Sequence, residues 1–308
     1  MEQGCGPMEQ GCVKGRAVPT ALLGELTDSA ALLGHPPALR ERFAQDGYLF
    51  LRRALEPGAV RAARREVFER LVAVGEIRPP AEDGIFTGSS RRAELEPDLG
   101  RFWRSVSEGP RLRAVSHGPA MAAIVSQLFD APARPQDYLF LRAGVRGRAT
   151  DLHYDYPFFT RAHDRVCTAW MPLGDVPVCD GPLVVVEGSH HYRDLIDPMI
   201  GHDISKNPER RAAFGSDAID FARQRGTRLL TADFEAGDVA IFGMYLAHGS
   251  LDNHSPLDRV RLSCDVRWQP ASLPTDPRYF GADPPGTTGA GYGELNGAKP
   301  LTQDWHVR

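Results

Sequence analysis

Cysteine is scarce in this chain of 308 residues: five in all, Cys5, Cys12, Cys167, Cys179 and Cys264. The count is odd and no two form a Cys-x-x-Cys pair, so we read a reduced, cytoplasmic protein. Long apolar runs are missing as well. No segment approaches the roughly 20 apolar residues that a membrane-crossing helix needs. Positive charge is in deficit, with a formal net charge of −4. That argues against a nucleic-acid partner held by phosphate attraction. What remains is a chain 42% hydrophobic and 25% charged, the balance of a globular protein with a sizeable core.

One stretch organises the rest: Asp151-Leu152-His153-Tyr154-Asp155-Tyr156-Pro157-Phe158-Phe159. In an extended strand, residues i and i+2 point to one face. His153 and Asp155 could then grip one ion from one side. A lone His-x-Asp also arises by chance on a solvated strand face. Here it has company: Ala247-His248-Gly249-Ser250 follows, and then two arginines, Arg259 and Arg261. His153, Asp155 and His248 would complete the two-His-one-carboxylate facial triad of non-haem Fe(II) oxygenases, which leaves coordination positions open. His254, in the polar turn 252–256, is an alternative third ligand. The adjacent His190 and His191 would point to opposite faces of an extended segment, which favours a loop or substrate-contacting role over ligation.

The texture changes along the chain. Met1-Glu2-Gln3-Gly4-Cys5 recurs as Met8-Glu9-Gln10-Gly11-Cys12, a repeat too short for a solenoid. Neither copy has the basic and apolar parts of a secretory signal. We expect a disordered tail over 1–36 and a single domain over 37–308. Spacing predicts helices over 38–45, 60–74 and, broken at Gly109-Pro110 and Gly118-Pro119, over 102–129. The arginines of the second helix (Arg61, Arg64, Arg65, Arg70) alternate with Glu66 and Glu69 and read as a solvated face. Arg101, Arg104, Arg111 and Arg113 form another basic cluster, solvated by default, with an anion-binding patch as the minority reading. Residues 79–100 read as a long loop. Strands are predicted at 48–51, 138–141, 166–172, 183–187, 238–242 and 260–268. Residues 204–225 read as a partly helical insert. Beyond Trp268 the chain should be loops that fold over the site mouth. Helices before strands imply α+β, or a mostly β core with added helices.

The chain resembles the phytanoyl-CoA dioxygenase family of Fe(II)/2-oxoglutarate oxygenases. The likeness rests on His153-Tyr154-Asp155, the segment 168–175, the turn Asp180-Gly181-Pro182-Leu183, Gly188-Ser189-His190, Gly237-Asp238, His248-Gly249-Ser250 and Arg259. It runs from about Asp46 to about Trp268. The resemblance implies a double-stranded β-helix, a cupin-like jelly-roll, with its core at about 137–270. It implies Fe(II) on His153, Asp155 and His248, 2-oxoglutarate and dioxygen as co-substrates, and a small-molecule substrate. Related halogenases lack the carboxylate, so Asp155 favours hydroxylation or another oxidation. A guanidinium fork suits the distal carboxylate of 2-oxoglutarate. Strand alternation cannot choose between Arg259 and Arg261, which share a face; the family spacing, 11 after the distal histidine, selects Arg259. By the same resemblance Ser250 and Trp170 contact the cofactor, although Trp170 also reads as a core residue. A cupin-like binding protein, or a metal enzyme that uses no 2-oxoglutarate, is the competing reading. The aromatic residues Tyr154, Tyr156, Phe158 and Phe159 suggest an apolar or ring-containing substrate.

Overall fold

A computed structural model describes residues 11–215 and 217–304. The chain opens with a hairpin of β1 (Cys12–Val13) and β2 (Arg16–Ala17), then β3 (Leu23–Glu25). Helix α1 (Pro36–Asp46) ends at Gly47, whose φ of +78° closes the helix in the left-handed region. A side chain there would also strike the ring of His190, since a Cβ would lie 2.6 Å from it. Strand β4 (Tyr48–Leu51) follows. Helix α2 (Pro57–Ala73) starts where Glu56 accepts hydrogen bonds from the amides of Gly58 and Ala59 and Pro57 fixes the first turn. Its Val60, Ala63, Val67, Phe68 and Leu71 recur at helical spacing and are buried. Short α3 (Arg92–Leu95) precedes α4 (Leu99–Ser107), α5 (Pro110–Ser116) and α6 (Pro119–Phe129).

The strand-rich half contains β5 (Ala133–Pro135), β6 (Phe140–Gly144), β7 (Cys167–Pro172), β8 (Leu183–Val186), β9 (Leu229–Thr231), β10 (Val239–Gly243), β11 (His248–Ser250) and β12 (Arg261–Pro270). The short helices α7 (Tyr156–Phe159), α8 (Arg193–Ile196) and α9 (Ala218–Arg225) lie between them. One sheet runs β4-β10-β7-β12-β5, with β6 also on β12; the other runs β11-β8-β9-β3. Between the two lies an apolar cluster that includes Phe50, Trp170, Leu183, Phe234 and Phe242. The larger cluster joins the opposite face of the first sheet to the helices. This is a jelly-roll of two sheets with an added helical layer, as expected.

Three expectations need correction. Residues 11–36 are not a disordered tail: Leu23–Glu25 pairs in parallel with Leu229–Thr231 and extends the second sheet, and Val13 and Val18 are buried. Residues 1–10 of that expected tail lie outside the described residues. Cys167 and Cys264 are free thiols, but Cys179 is disulfide-bonded, so the chain is not fully reduced. The strand expected at 138–141 begins two residues later, because the Tyr138 amide donates to the Tyr279 carbonyl in the tail instead of to a neighbouring strand. No helix among the described residues is long and apolar enough to cross a membrane.

Candidate active site

His153 and His248 face each other across the sheet edge. Each backbone amide donates to the other's carbonyl, at 2.9 and 3.0 Å. Such a directly opposed pair brings side chains onto one face, and the ring centroids lie 4.3 Å apart. Asp155 arrives differently from the sequence argument. The extended segment ends at His153, and Asp155 adopts helical φ and ψ of −75° and −16° just before α7. That turn swings its carboxylate back toward the two rings.

One candidate ligand atom from each of these three residues lies within 4.8 Å of the others. Nε2 of His153 is 3.6 Å, and Nε2 of His248 3.8 Å, from Asp155 Oδ1. Those separations are too long for hydrogen bonds. The other atom of each group is already used. Nδ1 of His153 donates to the Asp151 carbonyl and Nδ1 of His248 to that of Leu246, both at 2.9 Å. With Nδ1 so engaged, each ring turns its Nε2 toward Oδ1. Asp155 Oδ2 accepts from Thr168 Oγ1 at 2.5 Å and from Arg267 at 2.8 Å. Thr168 and Arg267 are directly opposed on β7 and β12, so the sheet itself fixes this support. Two imidazole nitrogens and one carboxylate oxygen, converging on one point, fit a divalent transition metal such as iron.

The electrostatics agree. Burial alone would raise the Asp155 carboxyl, but Arg267 and the two histidines hold it well below the usual carboxylate range. Burial, then the neighbouring His153, brings His248 down to about 3. Both groups are thus in the deprotonated forms that bind metal. Arg267 is itself held between the rings of Phe140 and Phe159, its Cζ 4.4 and 4.0 Å from their centroids.

The pocket at the triad is small, about 20 Å³, and includes Trp170, Ser250, Phe242, Thr150, Arg261 and Asp265 in its walls. Trp170 packs edge-on against Phe234, with ring centroids 4.8 Å apart, as a core residue would, and it also lines the pocket. Ser250 lines it too, its hydroxyl accepting from the Thr150 amide. Arg259 is the exception. The β12 ladder begins at Arg261, opposite Gly144. Arg259 lies before it, and its guanidinium leaves the site to pair with Asp180 at 3.2 Å. Arg261, and not Arg259, lines the pocket at the triad. It is 2% exposed and its Nη1 donates to Ser263 Oγ, while its Nε has no partner. Burial, followed by repulsion from Arg142, lowers it to about 10. A buried cation with an open donor fits a carboxylate guest.

Sequence reasoning passed over Thr168, Arg267 and Arg142. Arg267 stands six after Arg261, on the same alternating face, which was the available signal. A second cavity of about 150 Å³ shares Arg142, Thr150 and His153 with the metal pocket. Its other walls include Phe140, Phe158, Leu295 and Asn296, so the C-terminal loops do cover the site mouth. His254 bonds its own turn at the Asp252 carbonyl and takes no part in the triad.

The phytanoyl-CoA dioxygenase family model matches residues 43–260. The chain belongs to that family. The 1-deoxypentalenic acid 11-beta-hydroxylase of Streptomyces exfoliatus is 28% identical over 268 residues, covering 82% of this chain and 88% of that protein. A probable phytanoyl-CoA dioxygenase of Caenorhabditis elegans is 24% identical and covers 73% of each chain. Among solved structures, the non-haem alpha-ketoglutarate-dependent carbocyclase SnoK of nogalamycin biosynthesis is 21% identical, with a TM-score of 0.48 over 80% of this chain and 85% of its own. The protein is a non-haem iron and 2-oxoglutarate-dependent oxygenase.

Proposed function

We propose that the protein hydroxylates an unactivated C–H bond of a small, largely apolar organic molecule. His153, Asp155 and His248 would hold the iron. Arg261, and not Arg259, would anchor the distal carboxylate of 2-oxoglutarate, with Trp170 and Ser250 as walls of the same pocket. The observation that carries this reading is the convergence of three candidate ligand atoms beside a buried arginine whose Nε has no hydrogen-bond partner. When bound, iron, 2-oxoglutarate and dioxygen supply the oxidation: one oxygen atom goes to the substrate and one to succinate, with loss of CO2.

The chain's own residues do the rest. Thr168 and Arg267 keep Asp155 ionised and turned. The carbonyls of Asp151 and Leu246 fix the histidine tautomers. Phe140, Phe158 and Leu295 offer an apolar surface next to His153 and exclude water from it. The likeness to a protein named for hydroxylating 1-deoxypentalenic acid supports hydroxylation of a small organic acid. The test is succinate release from 2-oxoglutarate with Fe(II) and ascorbate across a panel of small alicyclic and aromatic acids. Substrate-stimulated succinate with an oxygenated product is expected. Oxidised product formed without any need for 2-oxoglutarate would contradict the reading.

A further inference from the structure

A further cavity lies apart from the triad. It measures about 620 Å³ and shares no lining residue with either cavity at the metal site. Five arginines line it: Arg61, Arg64 and Arg65 from α2, Arg78 from the loop beyond, and Arg259 from the approach to β12. Three carboxylates, Glu82, Asp83 and Asp175, also border it. With the buried Asp180 behind Arg259, five arginines meet four carboxylates, a net of one positive charge in one cleft of a chain whose formal charge is −4.

Internal pairing does not account for this cluster. Arg65 pairs with Glu82, and Arg259 with the buried Asp180. Arg64 gives one donor to the Leu173 carbonyl at 3.0 Å and rests on the Phe68 ring at 4.4 Å. Its remaining donors, and the guanidinium groups of Arg61 and Arg78, have no acceptor among the described residues. Burial, then the charge of Arg259, brings Arg64 down to about 10, which records the cost of holding it there. The backbone makes room for it nonetheless. At Gly174, with φ +117°, a Cβ would lie 2.9 Å from Arg64 Cδ; at Gly84, with φ +64°, a Cβ would lie 2.5 Å from its Nη2. Two glycines in conformations that side chains rarely adopt thus flank one buried guanidinium.

A guanidinium fork matches the oxygens of phosphate or carboxylate. The volume falls within the roughly 300–1,000 Å³ of small-molecule sites, well beyond a single inorganic anion. We propose that this cleft binds a phosphorylated small molecule carrying two or more negative charges, with Arg64 at its buried floor and the exposed Arg61 and Arg78 at its rim. The site is separate from the oxidation site and does not depend on how that site is read.

ADP is a suitable probe, with inorganic phosphate and adenosine as comparisons, in calorimetric titrations of the holoenzyme at low and at physiological salt. ADP should bind saturably and more weakly as salt rises. Phosphate should bind at least about tenfold more weakly, and adenosine should not bind. The Arg61→Ala/Arg78→Ala double variant alters only exposed side chains. It should lose about tenfold or more in ADP affinity, about 1.4 kcal/mol, while succinate release is unchanged. Excess 2-oxoglutarate should not displace ADP. Absence of ADP binding, equal affinity in the double variant, or displacement by 2-oxoglutarate would each overturn the proposal.

Discussion

Leu262, Cys264, Val266 and Trp268 on one face of β12 are fully buried, and Arg261, Ser263, Asp265, Arg267 and Gln269 on the other are at most 3% exposed. Burial is equal, but its consequences differ. The apolar face joins the helical layer and gains free energy from leaving water. The polar face loses hydration and recovers it only where a partner exists. Asp265 Oδ2 accepts from Arg142, and Arg267 donates to Asp155. Yet Arg261 Nε and Asp265 Oδ1, both on residues that line the metal pocket, remain without hydrogen-bond partners in the protein. A strand that leaves such groups open at a metal pocket is organised for guests as well as for packing.

Substitutions separate the two faces, and the largest effects lie at the triad. His153→Ala, Asp155→Ala and His248→Ala should each abolish succinate release and sharply weaken Fe(II) binding, measured as retained iron after dialysis. Full activity in any of them would remove that residue from the ligand set. A charge buried outside the barrel makes the next contrast. Arg92 is fully buried, and its two Nη groups donate to Glu76 and to the carbonyls of Gly297, Ala298 and Lys299. Arg92→Ala leaves Glu76 buried and unpaired, so a stability loss of about 3–5 kcal/mol is expected in urea melts. Iron affinity should hold. Leu262→Ala, on the apolar face, should cost about 2–5 kcal/mol and leave the 2-oxoglutarate KM unchanged; a raised KM would blur the division between the faces.

The smallest effect concerns pH. Burial, with Arg113 adjacent, lowers His117 to about 3, so it is neutral in the folded protein. Its unfolded counterpart takes a proton near pH 6.5. The stability it contributes is therefore complete above pH 6.5 and is lost as pH falls from there toward 3, by at most about 1.4 kcal/mol per pH unit. His117→Gln should flatten that slope in melts from neutral to mildly acid pH, and an unaltered slope would assign it to other groups.

Much of this was legible in the sequence, for local reasons. Helices α1 and α2 carry apolar residues at helical spacing and clear punctuation at Gly47 and Pro57. Glycine-proline pairs separate α4, α5 and α6 where expected. The metal ligands stood out because few residue types bind iron and their order was distinctive. What was hidden depends on contacts distant in sequence. Leu23–Glu25 is too short to announce a strand, and only Leu229–Thr231 makes it one. The support of Asp155 by Thr168 and Arg267 arises from register across β7 and β12. Spacing from His248 selected Arg259, but register starts the ladder two residues later, at Arg261, and sends Arg259 to Asp180.

That choice between arginines is the most direct test of the account. The measurement is a 2-oxoglutarate titration of Arg261→Ala, Arg261→Lys and Arg259→Ala beside the parent protein, with iron content checked in each. Removing a buried partner of a carboxylate costs several kcal/mol, and each 1.4 kcal/mol is about tenfold. Arg261→Ala should therefore raise the apparent KM for 2-oxoglutarate by about a hundredfold or more with iron retained. Arg261→Lys should recover part of the loss, because an ammonium cannot form the fork, and Arg259→Ala should leave KM near the parent value. A large KM increase in Arg259→Ala with none in Arg261→Ala would contradict the account.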